Sequence, residues 1–170
     1  MVRQLLLLGI LIGGGMHGYR LNEYVAHAMS SYTNLKKPTA YYELEKLERD
    51  GYVKHEVQRE GKRPERRVYE ITEKGRNYFF DLLRQHLSGF ARTYFVDDIG
   101  IAFMGQLHPK EAHKLLTEKR EKVSAALEQF RELHEHGGNW RYVVSHNVAH
   151  LEADIAWLDG IIKDLNDTKA

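Results

Sequence analysis

Two groups of side chains in this sequence have types and spacings that do chemistry. The first is cationic. Lys36 and Lys37 stand just before Pro38, and Lys62, Arg63, Arg66 and Arg67 fall within six residues. Charges clustered in this way neutralise phosphates or enter the narrow, electronegative minor groove of a duplex. The second group is imidazole. His146 and His150 are four residues apart, with Asp154 one turn on, a spacing that sets two metal ligands on one helix face. His134 and His136 lie close by in the sequence. No HExxH or comparable motif accompanies them, so surface or interface residues are the plainer reading, and no metal or other cofactor is expected. Cysteine is absent, which excludes disulfides, Cys-ligated zinc and thiol nucleophiles. No nucleophile stands beside a base, so an enzyme is not expected.

Charge is unevenly distributed. Residues 1–90 carry 15 Lys and Arg against 11 Asp and Glu, a net +4, and the remainder carry 10 against 13, a net −3. A mildly basic first half suits a polyanionic partner. The run Leu5 to Gly15, LLLLGILIGGG, is too short for a bilayer, which takes about 20 apolar residues. Arg3 before an apolar stretch also fits a signal peptide, but no Ala-x-Ala-like site follows. A buried first helix and a cytoplasmic location are the expectation.

The elements that position the cations can be read from periodicity. A first helix is predicted from Val2 to Ile12, stopped by Gly13, Gly14 and Gly15. A second runs from about Tyr19 to Met29, with Leu21, Tyr24, Val25 and Ala28 on one face. Pro38 opens a third, PTAYYELEKLERD, which ends at Gly51. A strand over Tyr52 to Glu60, a Gly61–Pro64 turn and the alternating strand Arg67 to Thr72 make a hairpin with a basic tip. A fourth helix starts at Thr72-Glu73-Lys74-Gly75.

Three helices followed by a basic hairpin form a winged helix-turn-helix. The major groove admits an α-helix, but only one anchored on another face. Ala40, Leu44 and Leu47 are that anchor. The open face is expected to carry Thr39, Tyr42, Glu43 and Lys46, with Lys36 and Lys37 at the positive helix N-terminus. Tyr41 sits beside the anchoring stripe, either as a core-edge aromatic or as a hydroxyl donor to a phosphate.

These residues carry a resemblance. The Leu-rich first helix, Gly18-Tyr19, Tyr41-x-x-Leu44-x-x-Leu47-x-x-x-Gly51-Tyr52 and Arg67-x-Tyr69-x-Ile71-Thr72-x-x-Gly75 resemble the PadR family of repressors, named for control of phenolic acid decarboxylase. The resemblance covers residues 1 to about 85. It departs at Lys36-Lys37-Pro38, where many relatives have small or polar residues, which leaves the operator sequence open. It implies a homodimer on a pseudo-palindromic promoter site and, in many members, release by a small aromatic or drug-like effector.

The expected fold is therefore mainly α: residues 1–88 form a winged helix-turn-helix (three helices, β-hairpin wing, linking helix) and residues 89–170 a C-terminal α-helical dimerisation and effector domain. After a hinge-like connection from Ser88 to Asp98, a short helix over Ile99 to Leu107 and two long helices are predicted. The last begins at Trp140, with Asn139 as its cap. Leu116, Val123, Leu127 and Phe130 form a stripe on the first long helix. Val144, Val148, Leu151, Ile155, Leu158, Ile162 and Leu165 form a heptad-like seam on the second, the natural face for a second copy. Twofold symmetry would set two recognition helices about one DNA turn apart.

Tyr94, Phe95 and Phe103 at the hinge, with Trp140, read first as core. Their other reading is an apolar effector pocket between the two domains that also takes in Tyr19, with Arg20 or Arg141 pairing a ligand carboxylate. Two other functions are compatible with parts of the sequence: a winged helix that serves only protein interaction, and a metal-dependent hydrolase on His146 and His150. The second leaves the hairpin unexplained.

Overall fold

The computed structural model describes residues 1–14, 16–17, 21, 36–59, 66–132 and 138–167. The chain divides into two compact units, Met1–Arg92 and Thr93–Ala170. The first holds α1 (Val2–Leu11), β1 (Met16–His17), α2 (Lys37–Arg49), β2 (Val53–Gln58), β3 (Arg66–Ile71) and α3 (Glu73–Ser88). The second holds α4 (Asp97–Phe103), a 3-10 turn over Met104–Gln106, α5 (Pro109–Glu132) and α6 (Trp140–Asp167). The fold is mainly helical with an antiparallel hairpin wing, the architecture expected of a winged helix-turn-helix. The predicted second helix, about 19–29, lies outside the described residues except for Leu21, which is helical and fully buried.

The first core is built from the apolar stripes. Leu7, Leu8 and Leu11 of α1 meet Ala40, Leu44 and Leu47 of α2, Val53 of β2, Tyr69 and Ile71 of β3 and Leu82 of α3. Spacings of three and four put the helical members on one face, and alternation does the same for Tyr69 and Ile71. Each leucine, isoleucine or valine among them contributes about 1.5–3 kcal/mol on burial. The helix α1 lies on α3 where Gly9 leaves room: a Cβ there would stand 3.2 Å from the Phe79 ring.

Between the first two predicted helices, Met16–His17 forms a third strand, so the sheet order is β1-β3-β2. Met16 pairs with Tyr69 and His17 with Val68 on the edge of β3 that β2 leaves open. Two residues of backbone pairing cap that edge and are too short to show alternation.

A tight junction joins α2, the hairpin and α3. α2 ends with Gly51 at φ +76°, whose N–H bonds the Glu48 carbonyl at 2.8 Å while the Tyr52 N–H bonds that of Leu47 at 2.8 Å. This is the left-handed helix stop that favours glycine. Thr72 caps α3 by accepting from the Gly75 N–H at 3.0 Å, and its hydroxyl donates to the Gly51 carbonyl at 2.8 Å. Tyr52 stacks on Tyr78 with centroids 4.2 Å apart. A single knot thus uses Gly51, Tyr52, Thr72 and Gly75.

In the second unit α5 and α6 pack as an antiparallel pair. Arg120 grips both oxygens of Asp159 at 3.0 and 3.3 Å, and Arg131 reaches Glu152 at 2.8 Å. Exposed pairs like these contribute little energy and instead fix register. The short helix begins at Asp97, two residues before the predicted Ile99, and gives way to the 3-10 turn at Met104. No helix among the described residues is long and apolar enough to cross a membrane.

Candidate nucleic-acid interface

The anchor predicted for the recognition helix is present: Ala40, Leu44 and Leu47 of α2 are fully buried. Burial of that face leaves the opposite one to solvent. Tyr42 is 65% exposed, Lys36 is exposed, and Thr39 and Lys46 are half-buried. Tyr41, at the edge of the stripe, is also half-buried. Lys36 is the N-cap of α2 and makes no side-chain cap bond, with proline in the first turn. Lys37 opens the helix, and its side chain lies outside the described ones.

Glu43 departs from expectation. It was read on the open face, yet it is half-buried and accepts from Gln4 Nε2 at 3.3 Å. Gln4 is only 9% exposed, and its Oε1 in turn accepts from the Tyr78 hydroxyl at 2.9 Å. The carboxylate is held inward because a buried amide needs its partners. Conversely, Glu45 and Arg49 are exposed on α2 on the side of Tyr42. The spacing 42, 45, 49 would have found them.

The wing is placed by β2 and β3, in register from Val53 opposite Ile71 to Gln58 opposite Arg66. His55 Nδ1 contacts the Glu48 carboxylate, tying the base of the wing to the end of α2. Arg67 is exposed, and its hydrogen bond to Tyr69 holds its guanidinium above the ordinary arginine value, so it remains a cation. Arg66 begins β3, with its side chain outside the described ones. Lys62 and Arg63 lie outside the described residues. Anchored helix and basic strand therefore belong to one small unit, joined by the Gly51–Gly75 knot.

The expected effector residues separate. Tyr94 and Phe95 line a cavity of about 550 Å³ within the second unit, together with Lys119, His150, Asp154 and Trp157. Phe103 is 68% exposed and is not in its lining. Nor are Trp140 and Arg141; the Arg141 guanidinium lies 4.7 Å from the Tyr142 ring and donates to its hydroxyl at 2.7 Å. Tyr19 and Arg20 lie outside the described residues. His146 and His150 stack in parallel at 6.4 Å, and no group of three or more metal-ligating side chains occurs among the described residues.

The helical seam is partly spent within the chain. Leu127, Val144 and Leu158 are buried in a single protomer, and Phe130, Val148, Leu151, Ile155 and Ile162 are half-buried. A heptad stripe demands cover, and the chain's own α5 supplies part of it.

Residues 7–81 match the transcriptional regulator PadR-like family. The negative transcriptional regulator PadR of Bacillus subtilis is 25% identical over 123 residues; the match covers 71% of this chain and 66% of that protein, just under two thirds of its length. The crystal structure of Bacillus subtilis PadR in complex with operator DNA superposes with a TM-score of 0.84 at 22% identity, over 97% of this chain and 99% of that one. The same protein in complex with p-coumaric acid gives 0.77 at 20% identity, over 96% and 94%. The virulence activator AphA of Vibrio cholerae gives 0.74 at 16%, over 98% and 99%. At these identities the superpositions speak to the fold alone. The family is a class of transcriptional regulators and not of enzymes. The part of the chain that holds the winged helix, residues 7–81, is thus similar to the PadR-like family of transcriptional regulators, and its Gly51 and Gly75 meet in the knot that joins the hairpin to α3.

Proposed function

We propose that this chain is a homodimeric repressor that binds double-stranded promoter DNA through α2 and the wing, and that a small aromatic effector releases it. One observation carries the reading. The α2 face opposite Ala40, Leu44 and Leu47 is open beside the exposed Arg67 strand, in a unit whose core fixes both. Tyr42 and Lys46 would reach base edges or phosphates in the major groove. Thr39, Tyr41, Lys36 and Lys37 would position the helix. Lys62, Arg63, Arg66 and Arg67 would neutralise phosphates beside it or reach into the minor groove.

The dimer reading is supported by apolar surface. Ile99 and Phe103 of α4 are 66% and 68% exposed, and Leu107 and Leu115 near them are exposed as well. Apolar area of this kind ordinarily marks a contact. The half-buried members of the seam, Phe130, Val148, Leu151, Ile155 and Ile162, are the remaining candidates for the interface. Leu127, Val144 and Leu158 would act by holding the helical pair itself. The effector reading is supported by the aromatic cavity at Tyr94 and Phe95 and by the p-coumaric acid bound to the Bacillus subtilis relative.

The test is anisotropy titration of labelled DNA from the chain's own promoter at several salt concentrations, with mass measured by light scattering. A dimer with affinity falling steeply with salt, weakened by a small aromatic ligand (ferulate, p-coumarate and an aromatic amine being the ones titrated), is expected. A flat response at low salt would instead favour a winged helix serving protein interaction.

A further inference from the structure

The cavity of the second unit has a charge that its aromatic walls do not suggest. Phe95, His150 and Trp157 supply aromatic rings, with the Phe95 and His150 centroids 5.5 Å apart. Three carboxylates, Asp97, Asp98 and Asp154, share the lining with a single ammonium, Lys119. Lys119 is already committed to Asp97, at 2.7 Å. Asp98 and Asp154 have no ion-pair partner among the described residues, and no arginine lines the cavity. The positive end of α4 accounts for acidic residues at Asp97 and Asp98 without a ligand. It does not account for Asp154, which is half-buried in the middle of α6 and faces the same space.

An aromatic carboxylate entering this cavity would meet two unneutralised carboxylates and no free cation. An aromatic ammonium would meet the reverse: two carboxylates for its charge, and aromatic rings, which attract a cation and stack on a ring. We propose that the cavity lined by Phe95, His150 and Trp157 binds a planar aromatic cation, its positive group held by Asp98 and Asp154. This rests on the aromatic-effector reading and assigns that effector a charge opposite to that of a phenolic acid.

The test uses the full chain and two probes matched in ring and tether, tyramine and 3-(4-hydroxyphenyl)propanoate, titrated by calorimetry. A parallel titration follows Trp157 fluorescence in the Trp140→Phe variant. Tyramine is expected to bind at least about tenfold more tightly than the propanoate, with affinity falling as salt rises. Asp98→Asn with Asp154→Asn is expected to lower tyramine affinity by about tenfold or more. Equal or tighter binding of the propanoate, no binding of tyramine, or unchanged tyramine affinity in the double variant each overturns the assignment. The effector reading fails separately. If tyramine binds here but leaves promoter affinity unchanged, the cavity is a cation site without that regulatory role. If p-coumarate releases DNA while tyramine does not bind, the effector reading stands and this assignment falls.

Discussion

The Tyr78 hydroxyl donates to Gln4 Oε1 at 2.9 Å, and through that one amide the linking helix α3 is bonded to helix α2. Gln4 stands on α1 among fully buried leucines, so its amide has few alternatives to Tyr78 and Glu43. Tyr78→Phe removes the donor and leaves a buried acceptor unmatched, a cost of about 1–3 kcal/mol. The expected outcome is a lower urea midpoint by circular dichroism, with weaker promoter binding because Glu43 and its helix lose a brace. An unchanged midpoint would mean that water takes the place of the phenol.

The same phenol sets a pH dependence. Burial first, then the nearby Tyr52, Asp50 and Glu43, hold Tyr78 above its ordinary value of about 10. In the unfolded chain it loses its proton sooner. The stability it contributes is therefore complete below pH about 10 and is lost as pH rises through the raised value. Unfolding free energy across neutral pH should show no slope from this group. Above pH about 10, the wild-type chain should lose stability faster than Tyr78→Phe. Parallel curves for the two proteins across that range would refute the assignment.

The anchor of α2 was legible because Ala40, Leu44 and Leu47 repeat at helical spacing, and the Arg67–Thr72 strand because it alternates. Periodicity reports that a face is covered, not what covers it. It therefore could not tell that Leu127, Val144 and Leu158 would be buried within one protomer. Gln4 and Glu43 were misread or passed over because a lone amide in a leucine run carries no periodic signal, and its partners come from two other helices. The strand at Met16–His17 is made by backbone pairing alone, to which side-chain pattern is blind. Asp98 and Asp154 are far apart in sequence and share a cavity only because α4 lies near the α5–α6 pair within the second unit.

Gly75 tests the knot that joins the hairpin to α3. A Cβ there would stand 1.9 Å from the Tyr52 carbonyl oxygen and 2.9 Å from Ile71 Cγ1. The first obstacle is backbone, which cannot swing aside as a side-chain tip would. Gly75→Ala must displace either the strand start or the first turn of α3, at a cost at or beyond the usual range of about 1–3 kcal/mol for overpacking. Gly100→Ala is the control, since a Cβ there meets nothing within 4 Å and alanine favours a helix over glycine. Thermal unfolding should show a large fall for the first and no fall for the second. Similar melting for both would mean that the junction yields.

The wing is tested through counterions. A phosphate contact made by one cation contributes about 0.9 to the slope of log affinity against log salt. Arg63→Ala with Arg66→Ala should therefore weaken promoter binding across sequences and reduce that slope by up to about 2. Lys54 is a fitting control: it is exposed on β2 but bonded to Glu70 at 3.1 Å, so its charge is largely answered within the protein. Lys54→Ala should leave the slope where it is. Lys46→Ala, on the open face of α2, separates helix from wing. If it lowers the slope while the arginine pair does not, the phosphate contacts belong to the helix, and the basic strand owes its charge to something other than DNA.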